Sequence, residues 1–120
     1  MGNPDLEETL NLSIDFAKQD GLVPVVVQDV STRRVLMVAY TNEKALQKTC
    51  QTGIATFYSR KRQVLWVKDS LRVTDVRVDC DQDALLYLVE NIGENHCHTK
   101  DSRPSCFYRR INANDTLSHL

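Results

Sequence analysis

The chain has 120 residues, of which 42% are hydrophobic and 26% are charged, and its formal net charge is -1, as expected for one globular domain spanning residues 1–120. A nearly neutral chain argues against nucleic acid or another polyanion as the main partner, and no apolar run is long enough to span a bilayer. The polar, acidic start is not a secretory signal, so we expect a cytoplasmic protein whose four cysteines act as thiols or metal ligands.

Residues 1–20 are predicted to form an N-terminal helix. Asn3 is suited to cap it, Pro4 fits its first position, and apolar residues recur along it at helical spacing. Gly21 is a natural stop at its C-terminal end. We expect this helix to pack against the domain without chemistry of its own.

Several strands and a second helix are predicted downstream. The second helix begins at Thr41 or Asn42 and ends at Gly53. The strands, which are rich in Val, Leu and Ile or aromatic residues, are predicted at positions 22–30, 34–40, 55–60, 63–68, 72–78, 84–89 and 107–111. Residues 69–71 form a very short link, and the polar tail of residues 112–120 is expected to fray. The predicted fold class is α+β, with a mostly antiparallel sheet and two helices.

A basic turn, made of Arg60, Lys61 and Arg62, joins the third and fourth predicted strands. A charged turn is ordinarily just solvated. This one lies beside polar and aromatic side chains of the two strands, and arginine guanidinium groups fit phosphate oxygens well. The turn is therefore also a candidate phosphate site.

The stretch from Asp79 to Asp83 directly follows a predicted strand, in which successive side chains point to opposite faces. If the chain stays extended, Asp79, Asp81 and Asp83 share one face and Cys80 points to the other. Three carboxylates on one face suit a hard divalent cation such as Mg²⁺. The alternative is a solvated acidic turn, although such a turn would be expected to contain Gly, Asn or Pro.

Three cysteines, Cys80, Cys97 and Cys106, are candidate zinc ligands. Three protein ligands and one open position are typical of catalytic zinc, which lowers the pKa of a bound water from about 9 towards about 7. His98 is then placed to orient or deprotonate that water. A closed structural site with His96 or His98 as fourth ligand is the alternative, and a chain without zinc is the third. The spacing leaves these three interpretations open.

Cys80 also bears on the number of subunits. It is predicted to face away from the acids at a strand end, so its reach to Cys97 and Cys106 of the same chain is not obvious. Ligands from two subunits, repeated by a two-fold axis, would solve this problem. The cysteine pattern therefore points to a homodimer.

Together these motifs make the sequence similar to the phosphoribosyl-AMP cyclohydrolase family of histidine biosynthesis. The resemblance runs from about residue 21 to residue 111 and includes Asp-Cys-Asp-Gln-Asp at 79–83, Cys-His-Thr at 97–99 and Ser-Cys-Phe at 105–107. Further matching segments lie at residues 22–29, 35–40, 42–46, 52–53, 57–60 and 65–68. The acidic motif combined with the two later cysteine motifs is highly specific.

The resemblance implies an intertwined homodimer that uses zinc and magnesium to hydrolyse the N1–C6 bond of the adenine ring in phosphoribosyl-AMP, with His98 as the group that moves protons. The implied zinc ligands are Cys80 from one subunit and Cys97 and Cys106 from the other. The implied magnesium ligands are Asp79, Asp81 and Asp83. The candidate substrate-binding residues are Tyr58, Ser59, Arg60, Arg62, Trp66 and Lys68. Neither nucleic acid nor a membrane is expected as a partner.

Two departures from the family pattern bear on function. Residues 68–72 are several residues shorter than the family's glycine-containing loop, a segment that contacts the substrate. A non-catalytic relative, in which zinc only holds the dimer together, is therefore the alternative function. Residues 100–104 lengthen the connection between the last two cysteines, which a loop can absorb without moving its ends. A zinc-dependent nucleic-acid module is disfavoured because the chain is not basic.

Overall fold

The computed structural model of the chain describes residues 4–91 and 103–120. These residues form a five-stranded sheet in the order β2-β1-β5-β4-β3 and a separate two-stranded sheet of β6 and β7. The strands are β1 (Val23–Asp29), β2 (Val35–Thr41), β3 (Ile54–Ser59), β4 (Val64–Val78), β5 (Leu85–Asn91), β6 (Arg109–Ile111) and β7 (Leu117–His119). The helices are α1 (Pro4–Glu7) and α2 (Glu43–Thr52), with a 3₁₀ turn at Ala17–Gln19.

The five-stranded sheet is mostly antiparallel, as the sequence predicts. Only the pair of β1 and β5 is parallel, while β1 with β2, β3 with β4 and β4 with β5 are antiparallel. Although β2 and β3 are the two edge strands, they contact each other, so the sheet is strongly curled. Within the two described ranges, no helix has both the length and the apolar character needed to cross a membrane.

The core lies on the concave side of this curled sheet. Side chains alternate along β1, so Val23, Val25 and Val27 are fully buried while their neighbours are partly exposed. The rings of Phe57 and Tyr87 are also fully buried and stack with centroids 5.9 Å apart. Aromatic pairs at this separation add to the stabilisation from burial alone. The core therefore joins β3 to β5 across the intervening β4.

Helix α2 has the boundaries that its sequence predicts. The Asn42 side chain accepts a hydrogen bond from the Ala45 N–H at 2.8 Å, which caps the first turn. Gly53 ends the helix at φ 74°, in the left-handed region where glycine avoids a Cβ clash. Because α2 joins β2 to β3 and packs against both, it helps to hold the two edge strands together.

The predicted N-terminal helix is wrong beyond its first turn, since α1 ends at Glu7 and the chain is then irregular up to the 3₁₀ turn. The leucines that suggested a helical stripe, Leu10 and Leu12, are exposed. Between them, the Asn11 N–H is bonded to the Thr9 hydroxyl at 3.1 Å. Such local bonds from side chain to backbone compete with helix formation. The predicted count of two full helices is therefore reduced to α2 and one helical turn.

The prediction that residues 69–71 link two separate strands is also wrong, because β4 runs without interruption from Val64 to Val78. Its register with β3 jumps, so that Ile54 pairs with Arg72 whereas Ala55 pairs with Lys68. Residues 69–71 thus form a bulge towards β3, and the buried Leu71 pairs instead with Asn91 of β5. The single long strand β4 therefore pairs with β3 in its first half and with β5 in its second half.

The C-terminal tail is ordered into a hairpin, although the sequence predicts that it frays. Only Arg109–Ile111 of the predicted strand 107–111 is extended, and it pairs with Leu117–His119. The turn is closed by a hydrogen bond from the Asn112 N–H to the Thr116 carbonyl at 2.8 Å, and Asp115 adopts a positive φ within it.

Candidate active site and metal centre

The acidic motif forms a tight turn between β4 and β5, not the extended strand end that the sequence predicts. One carboxylate oxygen of Asp79 accepts the N–H groups of Asp83 at 2.9 Å and Ala84 at 3.1 Å. Gln82 closes the turn with a φ of 57° and donates its N–H to the Asp79 carbonyl at 3.1 Å. We call residues 79–84 the acidic loop.

The acidic loop nevertheless brings the three predicted carboxylates together, since ligand oxygens of Asp79, Asp81 and Asp83 lie within 4.8 Å of one another. Oxygens that share one Mg²⁺ are at most about 4.2 Å apart because each bond is about 2.1 Å long. Movements of the carboxylate oxygens by less than about 1 Å, through side-chain rotation, would bring all three within bonding distance of one ion. The donor set and its spacing therefore fit a hard divalent cation.

Electrostatics in the acidic loop favour uptake of a cation or a proton. Hydrogen bonds to the carboxylates of Asp81 and Asp79 favour the protonated form of Asp83 and raise its pKa to about 6. Burial opposes ionisation of Asp79, but hydrogen bonds from its neighbours in the loop outweigh that effect and lower its pKa. Within residues 4–91 and 103–120, no lysine or arginine forms an ion pair with these three acids. The loop thus carries uncompensated negative charge.

Gln82 ties the acidic loop to the N-terminal segment, a role that no local sequence signal indicated. Its side chain is 6% exposed and accepts the Ser13 N–H at 2.6 Å, while its amide donates to the Asn11 carbonyl at 3.3 Å. The Gln19 side chain adds a bond to the Asp83 carbonyl at 3.2 Å. The irregular N-terminal segment is thereby fastened across the loop.

The predicted zinc ligands are only partly described by the structure. Cys97, His96 and His98 lie outside the described residues. Cys80 is exposed in the acidic loop, whereas Cys106 is half-buried and packs against the core. Among residues 4–91 and 103–120, neither of these two thiols belongs to a cluster of three metal-binding side chains.

Cys80 and Cys106 lie towards opposite ends of β1. The loop that contains Cys80 leads into β5, whose first residue pairs with Val25 near the start of β1. Cys106 donates its N–H to the second residue of β2, and the first residue of β2 pairs with Gln28 near the end of β1. The strand from Val25 to Gln28 spans about 10 Å. Two sulfurs on one zinc are at most about 4.6 Å apart, so both side chains of one chain would have to reach towards each other along β1 to share an ion.

Ser105 fixes the position of the Cys106 segment. Its hydroxyl is nearly buried, donates to the Val35 carbonyl at 2.6 Å and accepts the Phe107 N–H at 2.9 Å. Together with the bond from Cys106 to β2, this anchors the segment along the first residues of that strand.

Four of the six predicted substrate-binding residues line one cavity of about 520 Å³, namely Tyr58, Ser59, Arg60 and Trp66. The cavity lies where β3 and β4 approach β2, and we call it the edge cavity. The Arg60 guanidinium is 4.0 Å from the centre of the Tyr40 ring, a cation–π contact that sequence reasoning missed. The contact joins opposite edges of the sheet, so no local sequence pattern predicts it.

The other two predicted residues, Arg62 and Lys68, do not line the edge cavity. Arg62 is exposed in the turn between β3 and β4, where its N–H is bonded to the Ser59 hydroxyl at 3.2 Å. Lys68 lies in β4 and pairs with Ala55. Lys61, which was part of the basic turn but not of the predicted set, does line the cavity.

Fold and site together define a small curled-sheet protein with a cluster of three carboxylates and a cavity lined by Arg60. A family model described as phosphoribosyl-AMP cyclohydrolase matches residues 37–108, a range that includes the acidic loop, the edge cavity and Cys106. The chain belongs to the phosphoribosyl-AMP cyclohydrolase family, in agreement with the resemblance noted from the sequence.

Individual relatives agree with this assignment. A protein of Solibacter usitatus named phosphoribosyl-AMP cyclohydrolase is 47% identical over 109 residues, covering 87% of this chain and 85% of the relative. One of the same name from Archaeoglobus fulgidus is 50% identical over 102 residues, covering 81% and 92%. A histidine biosynthesis bifunctional protein of Aquifex aeolicus is 45% identical over 101 residues, covering 80% of this chain and 48% of the relative.

Proposed function

We propose that this chain is a phosphoribosyl-AMP cyclohydrolase of histidine biosynthesis, which hydrolyses the N1–C6 bond of the adenine ring. Water adds across that bond, so that its oxygen joins C6 and a proton is transferred to N1. The observation that carries the proposal is the family match over residues 37–108, which contain both the carboxylate cluster and the edge cavity.

We propose that the acidic loop binds magnesium through Asp79, Asp81 and Asp83. The support is the convergence of three carboxylates without a nearby basic partner among the described residues. A divalent cation would take the place of the proton that hydrogen bonds to the Asp81 and Asp79 carboxylates favour on Asp83. The role of this chain is then to hold the three oxygens at nearly the required separation before the ion arrives.

We further propose a zinc site made of Cys80 from one subunit and Cys97 and Cys106 from the other, in a homodimer. The separation of Cys80 and Cys106 at opposite ends of β1 supports a ligand set shared by two copies of the chain. Bound zinc would supply a Lewis acid that makes water a better nucleophile near neutral pH. His98, next to Cys97, is the proposed group that orients water and moves the proton to N1.

The edge cavity is the proposed binding site for part of the phosphorylated substrate. Arg60 lies on the Tyr40 ring, which leaves the N–H edge of its guanidinium available to phosphate oxygens. Trp66 and Tyr58 supply aromatic surface to the cavity, and Lys61 adds a positive charge to its lining. Arg62 and Lys68, which lie outside the lining, complete the proposed set of substrate-binding residues. A cytoplasmic location is part of the proposal, because the substrate is a metabolite of amino-acid biosynthesis.

The non-catalytic alternative rests on the short segment of residues 68–72. In the structure this segment is a bulge within β4 with Leu71 buried, and the edge cavity beside Arg60 is present. The family comparisons do not favour that alternative.

The proposal is tested by turnover of phosphoribosyl-AMP, followed by ultraviolet absorbance as the ring opens. We expect activity that a chelator abolishes and that returns only when zinc and magnesium are both restored. A folded, metal-loaded protein without turnover would support the non-catalytic alternative. Turnover that persists in Cys106→Ser with normal metal requirement would show that the zinc assignment is wrong.

A further inference from the structure

A second cavity, of about 560 Å³, lies at the start of β2, away from both the acidic loop and the edge cavity. Three separate parts of the chain enclose it: the residues that begin β2, the segment that precedes Cys106, and the C-terminal hairpin. The side chains on which its chemistry depends are Arg34, Arg103, Tyr108 and His119. We call it the C-terminal cavity.

Arginine side chains give this cavity its charge. The Arg103 guanidinium lies 3.8 Å from the centre of the Tyr108 ring, and that of Arg109 lies 4.8 Å from it. No acidic group of residues 4–91 and 103–120 forms an ion pair with Arg34, Arg103 or Arg109. Residues 103–120 contain three arginines and one aspartate, although the whole chain has a net charge of -1. Among the described residues, positive charge is thus concentrated at this end of the molecule and forms no ion pair there.

The stacking determines how that charge is presented. When a guanidinium lies over an aromatic ring, the flat face of the guanidinium contacts the ring. The five N–H groups lie in the guanidinium plane and stay available to a ligand. The Ser105 hydroxyl cannot compete for a ligand, because it donates to the Val35 carbonyl and accepts the Phe107 N–H. The guanidinium groups of Arg34 and Arg103 line the cavity together with Tyr108 and His119. Guanidinium groups bind phosphate oxygens in pairs.

We propose that the C-terminal cavity binds a phosphate monoester, with Arg34 and Arg103 as its charged ligands and Tyr108 as the ring that positions Arg103. Two sources of that phosphate have the same chemistry: the substrate itself or a separate phosphorylated metabolite. The first source rests on the proposed function, since phosphoribosyl-AMP carries a phosphate on each of its two sugars and needs two anion sites. The edge cavity and the C-terminal cavity both border β2, so one molecule reaching along this strand could engage both.

The first experiment measures binding without turnover, by calorimetric titration of inorganic phosphate and ribose 5-phosphate in a phosphate-free buffer without divalent metal. Ribose is the neutral control. We expect Arg103→Met to weaken phosphate binding at least about tenfold, since it removes charge-assisted hydrogen bonds. The phosphate affinity of Arg103→Lys should lie between those of the unaltered protein and Arg103→Met. Arg110→Met is the matched control because Arg110 is exposed on β6 in the same C-terminal part of the chain and does not line the cavity.

Equal loss in Arg103→Met and Arg110→Met, or no phosphate binding by the unaltered protein, would overturn the proposal. Arg60→Met removes the guanidinium of the edge cavity, and binding that depends on Arg103 must survive in that variant. Thermal unfolding of each variant shows whether an observed loss reflects misfolding, and Arg103→Lys keeps the test decisive if Arg103→Met is unstable.

Kinetics then identify the source of the phosphate. Competitive inhibition by ribose 5-phosphate, together with a raised KM and preserved kcat in Arg103→Met, would assign the cavity to a phosphate of the substrate. Non-competitive inhibition would assign it to a separate phosphorylated metabolite. If the protein shows no turnover at all but Arg103→Met still loses phosphate binding, the proposed function fails while the phosphate site stands.

Discussion

The acidic loop and the C-terminal cavity carry opposite charges and are built in opposite ways. The loop gathers its carboxylates from five consecutive positions, 79–83, and its own backbone N–H groups hold Asp79 in place. The cavity draws Arg34, Arg103 and His119 from three distant parts of the chain. One site depends on a local turn, and the other depends on the packing of the C-terminal segment against β2.

This difference means that the two sites should respond differently to substitution. A change in the acidic loop should alter cation binding more than it alters folding, because the loop is exposed and closes on itself. A change at the anchors of the C-terminal segment should alter stability and ligand binding together. The predictions that follow separate these two behaviours.

The largest expected effect is the loss of cation affinity in Asp81→Ala. Removing one of three oxygen ligands should weaken Mg²⁺ or Mn²⁺ binding by about tenfold to a hundredfold and reduce turnover in parallel, with little change in unfolding free energy. Asp79→Ala should lose as much affinity and also about 1–2 kcal/mol of stability, because the N–H groups of Asp83 and Ala84 lose their acceptor. Calorimetric metal titration and chemical denaturation measure the two quantities. Equal stability of both variants would show that Asp79 does not hold the loop.

Ser105→Ala should produce the largest loss of stability, about 1–3 kcal/mol, because the buried Ser105 hydroxyl no longer bonds to the Val35 carbonyl at 2.6 Å and to the Phe107 N–H at 2.9 Å. Phosphate binding in the C-terminal cavity should weaken with it, while cation binding in the acidic loop should not change. Ser118→Ala is the control, since its hydroxyl is exposed and bonds only to Asn112 at 3.2 Å. Urea denaturation measures the difference, and a similar loss in both variants would contradict the anchoring role of Ser105.

Gln82→Ala tests whether the acidic loop is as self-contained as its turn suggests. The variant should lose about 1–2 kcal/mol of stability, because the bonds to Ser13 and Asn11 disappear. Gln63→Ala is a close control: Gln63 also has a positive φ, but it is exposed in the turn after β3. Faster hydrogen exchange of the Ser13 amide in Gln82→Ala, but not in Gln63→Ala, would establish that Gln82 holds the N-terminal segment in place. If the two variants unfold at the same denaturant concentration, the N-terminal segment does not brace the loop.

Sequence patterns predicted those parts of the fold that local chemistry determines. The valine-rich composition of β1 and the caps of α2 at Asn42 and Gly53 are local signals, and both predicted elements are confirmed. The prediction of a long N-terminal helix, which counted Leu10 and Leu12 as part of an apolar stripe, is wrong because hydrogen bonds to Gln82, about 70 positions away, hold this segment in an irregular conformation. The continuity of β4 depends on its change of partner from β3 to β5, which the residues of β4 alone do not encode.

The candidate sites follow the same division. Three carboxylates within five residues could be predicted to meet, even though the geometry turned out to be a turn and not a strand. Tyr40 was missed because its contact with Arg60 arises only when the two edges of the curled sheet approach each other. The stacking of Arg103 on Tyr108 was missed because neither residue forms a motif with a defined ligand. The zinc ligand Cys97 and the proton-transfer group His98 lie outside the described residues, and the whole zinc site of Cys80, Cys97 and Cys106 remains a prediction.

The smallest expected effect is the pH dependence of the acidic loop without metal. Asp83 has a pKa of about 6 in the folded chain, against an ordinary value of 3.8, so between those values the folded state keeps a proton that the unfolded state has lost. The contribution of Asp83 to stability is therefore present below about pH 4 and is lost as pH rises through 6. Asp79 acts in the opposite sense, because its pKa is lowered, but only in more acidic solution.

Mg²⁺ should replace that proton, so the rise in Tm that it causes should be larger at pH 7 than at pH 5. Since Asp83 lies near the surface, we expect the difference to be less than about 4 °C. Asp83→Asn should make the metal-free stability nearly independent of pH in this window, whereas Asp115→Asn, in the turn between β6 and β7, should leave the dependence unchanged. The rest of the chain is the same in both variants, so the difference between the two isolates Asp83. A Mg²⁺ effect that is equal at both pH values would mean that the carboxylates do not share a proton and that the loop binds the cation without displacing one.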